Sequence, residues 1–418
     1  MRSDRYKEQG IKKKSKKGRT LKVLLLLILL LIVAIPGAVY YSYKTTLDSL
    51  SVEFKYDNLK TEIGDEHAMK DCIKSSVGDI TCSDDYLETD TTGDKEIVCT
   101  ASKAMFGGLL NPTKEFTFKY SVEDKTDPIM LWSGDGAVVE KGTEFNISDV
   151  IGYGDNADPK PSVEYEGDVD TNTIGDYPLH VTVTDASGNS IDWDFTVHVV
   201  ETIVPYEDSS ERWEFSDFVK ENDAEGRHFG IDVSNWQDDI DFEKVKKAGC
   251  EFVIIRIGYS EDGKVTMDKR FKQNFEGARA AGIDTGIYLY SYDNTEDEAR
   301  SAAKWIIDQL DGAELELPIV FDWEDFGQFQ TYEMSFIGLN KMYDAFAEEI
   351  EAAGYDSMLY GSKNYLEKIW TDTDVRPIWL AHYIDKTDYK GPYRIWQASS
   401  SGKIDGISGA VDLDILYD

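Results

Sequence analysis

The 418-residue sequence is poor in cysteine, histidine and basic residues, and each shortage excludes a class of function. Only four Cys and five His occur. No C-x-x-C or H-E-x-x-H string is present, so the sequence supports neither a zinc ribbon nor a zincin. Lys and Arg number 44 against 80 Asp and Glu, a net charge of −36. Such a chain repels nucleic acid, whose binding depends on cationic contacts with phosphate. The hydrophobic content of 41% nevertheless suffices for folded cores.

Basic residues are concentrated at the amino terminus, directly before a long apolar run. Residues 1–22 carry ten Lys or Arg and two acids, so the remaining chain has a net charge of −44. Residues 23–41 are uncharged and just long enough to cross a hydrocarbon core of about 30 Å. The charge asymmetry predicts a cytoplasmic tail at 1–22, a single transmembrane helix at 23–43 and an extracellular body on the cell-wall side. A topology signal that contacts anionic lipid explains the basic tail more simply than a nucleic-acid-binding patch does.

A cleaved signal peptide is the alternative interpretation of the apolar run. Its apolar core is normally shorter, and no clear A-x-A cleavage site follows here, which favours an uncleaved anchor. On either interpretation the body is exported.

Residues 45–200 alternate short apolar runs with Gly, Asp and Asn clusters, a pattern typical of half-buried strands and turns. The sequence TTGD at 91–94 matches TIGD at 173–176, and EFTF at 115–118 matches DFTV at 194–197. These offsets of about 80 residues predict two all-β sandwich modules of the immunoglobulin type, at 45–123 and 124–200.

The second module resembles the bacterial Ig-like surface modules. The resemblance is carried by Asp127-Pro128 and by residues 140–145, 174–177 and 183–189. It implies a spacer or a wall-binding unit, and the spacer is the simpler interpretation. Scattered Asp residues here are possible calcium ligands, but no loop has EF-hand spacing, so we predict no metal site.

The cysteines give two further expectations. Cys72, Cys82 and Cys99 lie in the first module, where an exported chain can form one disulfide, and the sequence does not choose among the three pairings. Cys250 directly precedes an apolar strand and is expected to be a buried apolar residue rather than a nucleophile.

A polar, acidic segment at 201–226 is predicted to be a linker to a domain at 227–418. In that domain apolar strands alternate with amphipathic helices. Five β-α pairs are followed by three strands whose connections are too short for crossover helices. This order predicts an α/β fold, a modified (β/α) barrel with its chemistry at the carboxyl ends of the strands. The predicted strands are 228–233, 252–258, 284–290, 318–323, 357–360, 377–381, 393–397 and 409–413, and the predicted helices are 241–248, 268–281, 296–310, 332–353 and 363–369.

Carboxylates stand at the ends of several predicted strands. Asp232 ends the first strand, Asp322 and Glu324 stand at alternate positions around the end of the fourth, and Asp412 lies near the end of the last. Alternate residues face the same side, so Asp322 and Glu324 should project together. Two close carboxylates in a partly dry cleft raise one pKa, which yields one acid and one carboxylate for glycoside hydrolysis.

Aromatic residues recur at the same strand ends and suggest a cleft for sugar rings, whose apolar faces stack on aromatic side chains. The predicted substrate-binding aromatics are Trp236, Tyr288, Tyr290, Tyr292, Trp379, Tyr383 and Trp396.

Six motifs in order resemble glycoside hydrolase family 25, the N-acetylmuramidases called Chalaropsis-type lysozymes. They are GIDVSNWQ at 230–237, FVIIRIG at 252–258, FDWE at 321–324, WLAHY at 379–383, IWQ at 395–397 and VDLD at 411–414. The resemblance implies hydrolysis of the β-1,4 bond between N-acetylmuramic acid and N-acetylglucosamine in peptidoglycan.

The same resemblance implies roles for single residues. Glu324 is the general acid/base, and Asp322 is its partner at the substrate's acetamido group. Asp232 and Asp412 are the other cleft acids, and Gln397 is a substrate contact. The family's final VDLN is VDLD here, so Asp414 is expected to alter a side position only.

The predicted function is therefore a membrane-anchored peptidoglycan hydrolase that requires no metal or other cofactor. Two alternatives are a hydrolase of another N-acetyl-sugar polymer such as chitin and a noncatalytic wall-binding protein on a glycosidase fold. The choice between retention and inversion stays open, because the sequence does not give the carboxyl separation. The oligomeric state stays open as well.

Overall fold

The computed structural model describes residues 16–131, 136–204, 212–371 and 373–418. The chain separates into two compact units, Met1–Glu123 and Asp124–Asp418. Most of the predicted basic tail lies outside the described residues. The first unit begins with helix α1 (Lys16–Ser49). Its part Leu21–Ser49 reaches a mean hydropathy of 2.9 over 18 residues and is long and apolar enough to cross a membrane. A signal sequence near the amino terminus has the same properties.

A β module follows α1 in the first unit. Strand β2 pairs in parallel with β6, and β5 pairs antiparallel with both β6 and β4, while β1 and β3 form a separate antiparallel pair. Buried side chains alternate along β5 and β6, as the period-two pattern predicts. The elements are β1 (Ser51–Phe54), β2 (Leu59–Glu62), α2 (Met69–Cys72), β3 (Ile73–Val77), β4 (Asp79–Cys82), β5 (Gly93–Ser102) and β6 (Thr113–Glu123).

A disulfide joins β4 and β5 of the first module. Cys82 and Cys99 face each other in the antiparallel register and are bonded, while Cys72 is buried and free. The structure thus chooses one of the three pairings that the sequence left open. Cys250 is buried as expected, and burial raises the pKa of its thiol to about 12.

The second β module opens the second unit and repeats the pairing order of the first. Strand β8 pairs in parallel with β12, β11 pairs antiparallel with β12 and β10, and β7 pairs with β9. The repeat predicted from the sequence is therefore visible in the strand pairing. The strands are β7 (Ile129–Met130), β8 (Gly136–Glu140), β9 (Tyr153–Gly154), β10 (Ser162–Glu166), β11 (Gly175–Thr184) and β12 (Ser190–Val200).

The rest of the second unit is barrel-like. Neighbouring strands pair in the order β22-β14-β15-β17-β18-β19-β20-β21, and β21 pairs with β22, which closes the ring. Strand β22 is antiparallel to both neighbours, and the other ring pairings are parallel. The ring strands are β14 (Arg227–Val233), β15 (Phe252–Glu261), β17 (Asp284–Ser291), β18 (Ile319–Asp322), β19 (Ser357–Ser362), β20 (Ile378–Ala381), β21 (Ile395–Lys403) and β22 (Val411–Tyr417).

Amphipathic helices cover the barrel between its strands. Their buried faces are mostly apolar. Thr295 and Ser335 cap the amino termini of α6 and α7, and their side chains accept hydrogen bonds from helical backbone N–H groups. The helices are α4 (Phe242–Lys247), α5 (Phe271–Ala280), α6 (Glu296–Leu310), α7 (Phe336–Ala352) and α8 (Lys363–Lys368). Each lies where the sequence pattern predicts a helix.

The predicted linker at 201–226 needs a correction. Its second half contains β13 (Trp213–Glu214), which pairs with β21, and helix α3 (Phe215–Asn222). Phe215 and Phe218 are fully buried in the barrel's outer core. The acidic composition of the segment gave no indication that Phe215 and Phe218 attach it to the barrel. The sequence interpretation also omits β16 (Lys264–Met267), which forms a hairpin with β15.

The second β module contacts the barrel at the segment that follows β18. The side chain of Gln330 donates to the carbonyls of Ser148 and Ile151 at 2.9 and 3.0 Å. The carbonyls of Asp155 and Asn156 accept from the backbone N–H groups of the first two residues of α7 at 2.9 and 3.0 Å. This module is therefore packed against the barrel.

Candidate active site

The four predicted catalytic acids line one cavity of about 200 Å³. Asp232 lies in β14 and pairs in register with Asp412 of the adjacent β22. Asp322 is the last residue of β18, and Glu324 follows two residues later. The barrel therefore brings together, at the carboxyl ends of its parallel strands, carboxylates that are up to 180 residues apart in sequence.

Asp322 and Glu324 have different environments. Asp322 is buried, and its Oδ1 atom has no hydrogen-bond partner among the described residues. Burial and the charge of Glu324 raise the pKa of Asp322 well above its ordinary value. Glu324 keeps contact with solvent, yet desolvation by the surrounding protein and the charge of Asp412 raise its pKa to about 7. Because both pKa values are raised, the Asp322–Glu324 pair keeps protons near neutral pH.

Asp232 and Asp412 are a second close pair of carboxyls. Burial, followed by the charges of Asp412 and Asp414, raises the pKa of Asp232 well above its ordinary value. Burial raises the pKa of Asp412 to about 6. The cavity thus holds four acids, and at neutral pH it retains protons that exposed carboxyls would have lost.

A hydrogen-bond network around Gln397 holds Asp232 in place. The Gln397 side-chain amide donates to Asp232 Oδ2 at 2.7 Å, and its carbonyl accepts from the hydroxyls of Tyr360 and Tyr383 at 2.8 Å each. Because the amide bonds to Asp232, Tyr360 and Tyr383 at once, it fixes the relative orientation of these three cavity residues. Gln397 therefore lines the same cavity as the four acids.

The predicted aromatic residues separate into three groups. Tyr288, Tyr290, Trp379 and Tyr383 line the cavity. Tyr292 lies beside it, with its ring 5.1 Å from that of Tyr290. Trp236 is 77% exposed, next to Asn235, whose side chain contacts the cavity residue Arg256.

Trp396 does not line the cavity. It is buried at 4% exposure in the barrel's outer core, and its indole N–H donates to the carbonyl of His382 at 2.9 Å. Its neighbour Gln397 faces the cavity instead, since successive strand residues point to opposite faces. The position of Trp396 indicates packing rather than substrate contact.

Two further cavity residues were not singled out from the sequence. Arg256 is paired with Asp268 at 2.8 Å and brings positive charge to the acidic cavity. Tyr360 aligns in register with Asp322 on the neighbouring strand. Both stand on strands next to a predicted acid, and the strand register is the signal that could have identified them.

Asp414 is placed more centrally than expected. It is fully buried and accepts a hydrogen bond from the indole of Trp379 at 2.9 Å. Burial and the charge of Asp412 raise its pKa well above the ordinary value. The expectation that this residue alters only a side position is wrong, because Asp414 points to the same interior face of β22 as Asp412.

Comparison with known proteins identifies the barrel. Residues 231–407 match "Glycosyl hydrolases family 25". Residues 231–407 form a family 25 glycosyl hydrolase domain. Residues 129–199 match "Bacterial surface protein, Ig-like domain", which is the second β module. Asp412 and Asp414 lie beyond the matched part of the family 25 domain, although the barrel places both at its centre.

The family 25 domain has curated relatives. It is 29% identical over 187 residues to the autolytic lysozyme of Clostridium acetobutylicum, covering 44% of this chain and 54% of that protein. It is 28% identical over 200 residues to lysozyme M1 of Streptomyces globisporus, covering 44% and 65%. The chain thus spans about half the length of the Clostridium relative. A solved structure of the autolysin LytC from Streptococcus pneumoniae in complex with synthetic peptidoglycan ligand is 24% identical, covering 57% of this chain and 56% of that one, with a TM-score of 0.43.

Proposed function

We propose that this protein is a membrane-anchored muramidase that hydrolyses the β-1,4 bond between N-acetylmuramic acid and N-acetylglucosamine in peptidoglycan. The observation that carries the proposal is the single cavity lined by Asp232, Asp322, Glu324 and Asp412 together with five aromatic side chains. The family 25 domain and its lysozyme relatives support this chemistry over other uses of an acidic cleft.

Glu324 is the proposed general acid. Its raised pKa, about 7, keeps a proton available near neutral pH, and its contact with solvent leaves it accessible to a polymer. Protonation of the glycosidic oxygen breaks the C–O bond while positive charge grows at the anomeric carbon. The other carboxyls of the cavity are near enough to one another to favour that charge electrostatically.

Asp322 is the proposed partner for the substrate's acetamido group. Its buried Oδ1 has no protein donor among the described residues. This atom can therefore accept a hydrogen bond from a substrate N–H group without displacing an existing one. Such a contact orients the acetamide carbonyl toward the anomeric carbon.

The proposed location is the cell-wall side of the membrane, with α1 as a single-pass anchor and the amino terminus in the cytoplasm. The basic residues that precede the apolar part of α1, together with that apolar part, support this orientation. A protein held there acts on nearby wall, which suits local remodelling.

The products of digestion test the proposed bond. Full-length protein in detergent is incubated with purified peptidoglycan and, separately, with chitin, and the released fragments are identified by mass and reducing end. We expect fragments ending in reducing N-acetylmuramic acid and no release from chitin. Reducing N-acetylglucosamine ends, or release from chitin alone, would contradict a muramidase. Binding to wall without any release would indicate a noncatalytic protein.

The pH dependence of hydrolysis tests the electrostatics of Glu324. Activity should fall as pH rises through the pKa of the acid, because the proton needed by the leaving group is then lost. Asp412→Asn removes a negative charge that raises this pKa, so the alkaline limb of kcat/KM against pH should move to lower pH.

Asp412→Glu keeps the charge and serves as the matched control, whose alkaline limb should stay near that of the parent. An alkaline limb that is unmoved or shifted upward in Asp412→Asn would show that another group sets it.

A further inference from the structure

Three buried aspartates lie together in the second β module, away from the catalytic cavity. Asp124 precedes the module's first strand, Asp155 directly follows β9, and Asp185 follows β11. One carboxylate oxygen of each lies within 4.8 Å of the others, and all three residues are buried. They are about 30 residues apart in sequence, so no local motif reveals them.

Neighbouring groups fix these carboxylates without neutralising them. Asp155 Oδ1 accepts from the backbone N–H groups of Ala157 and Asp158 at 2.9 and 2.7 Å. Asn189 donates from its backbone and its side chain to the two oxygens of Asp185 at 2.8 and 2.7 Å. These contacts aim the carboxylates in fixed directions.

One oxygen of the group has no hydrogen-bond partner. Asp155 is 0% exposed, and its buried Oδ2 atom has no donor among the residues that the structure describes. The carboxylates of Asp124 and Asp185 lie beside Asp155 in the same buried group. Buried charges of one sign are normally offset by a cation or a metal.

We propose that Asp124, Asp155 and Asp185 form a calcium site. Ca²⁺ takes oxygen ligands at 2.3–2.6 Å, so two ligands of one ion are at most about 5 Å apart, and these three oxygens satisfy that limit. Ca²⁺ suits the site better than Mg²⁺, which demands a tighter octahedron and keeps several waters. Extracellular modules typically bind Ca²⁺ with a Kd of about 10⁻⁴–10⁻³ M, and we expect that range here.

The site has a direct connection to the family 25 domain. The carbonyls of Asp155 and Asn156 accept from the backbone N–H groups of Phe336 and Ile337, the first residues of α7. Calcium held by the Asp155 side chain therefore orders the chain that caps α7. Hydrogen exchange at the start of α7 should be slower with calcium than without it.

The experiment uses full-length protein in detergent, stripped with EGTA. Calcium binding is measured by titration calorimetry, thermal unfolding is followed with and without 5 mM Ca²⁺, and hydrogen exchange is compared over residues 326–340. We expect one saturable site, a rise in Tm of about 2–6 °C, and slower exchange at 336–337. Mg²⁺ at the same concentration should produce less of each effect.

Asp155→Asn separates ligand binding from a merely structural role. The variant keeps the size and the Oδ1 acceptor but removes the unpartnered charge. We expect calcium affinity to fall at least tenfold, and the Tm in EGTA to equal or exceed that of the parent, because repulsion is relieved. Asp168→Asn, at an exposed position of the same module, is the matched control and should bind calcium as the parent does.

Two results would overturn the calcium site. One is the absence of a saturable site, with the Tm unchanged by calcium relative to Mg²⁺. The other is equal calcium binding by Asp155→Asn and the parent.

Discussion

Replacing Glu324 by Gln is expected to lower peptidoglycan hydrolysis by about 10²–10⁴-fold, the range that a positioned general acid contributes. Gln has nearly the same shape and keeps a carbonyl oxygen, but it carries no proton that can be transferred to the glycosidic oxygen. Since Glu324 makes no side-chain hydrogen bond or ion pair with another described residue in the structure, the substitution should leave the fold intact. Reducing ends released per minute measure the effect.

Three measurements make this result specific. Wall binding by Glu324→Gln should match the parent, and its Tm should be equal or slightly higher, because a carboxyl in a crowded acidic cavity is removed. Glu276→Gln, on the exposed face of α5, is the matched control and should hydrolyse peptidoglycan like the parent. Loss of activity below tenfold would assign the proton transfer to another cavity acid.

The sequence was sufficient to predict where the barrel strands and helices lie. Helix α7 shows why. Its apolar stripe is buried in the structure as the 3.6-residue period requires, and it consists of Phe336, Leu339, Tyr343, Phe346 and Ile350. The segment at 201–226 shows the limit of such reasoning. Charged neighbours dominate its composition, and the burial of Phe215 and Phe218 depends on a barrel that local sequence does not reveal.

The site residues also divide into those that a local sequence signal reveals and those that only the fold reveals. Glu324 and Asp322 could be found because both end an apolar strand, a local signal. Arg256 and Tyr360 could not be found without knowing which strands are neighbours. Trp396 looked like its aromatic neighbours in sequence, but strand alternation turns it away from the cavity. The role of Asp414 needed the fold as well, since only closure of the ring places it beneath Trp379.

The structure shows contacts of the second β module with the barrel that its sequence does not predict. A spacer needs no close contact with the domain it presents, but here the module packs on residues 326–337, the chain that leads away from Glu324. That chain contains Phe326 and Phe329, whose rings pack edge-on against the buried Trp323, the residue between Asp322 and Glu324. A change at the module surface can therefore reach Asp322 and Glu324 through contiguous packing.

Gly152→Ala is expected to show this coupling. A Cβ atom at Gly152 would lie 2.6 Å from the carbonyl oxygen of Phe326 and 2.9 Å from that of Gly327, and both are backbone atoms that cannot rotate away. Overpacking of this kind typically costs about 1–3 kcal/mol. Free energies of that size shift an equilibrium between docked and undocked module by about 5–150-fold.

Hydrolysis by Gly152→Ala should therefore fall, by up to about 5–150-fold, although the substitution lies outside the cavity. Gly175→Ala is the matched control, because the nearest atom to its added Cβ is 3.8 Å away, and its activity should equal that of the parent. Unchanged activity with a lowered Tm would limit the junction to stability. A reduced kcat in Gly152→Ala, with binding to the wall retained, would show that the β module helps to hold Glu324 where the glycosidic oxygen needs its proton.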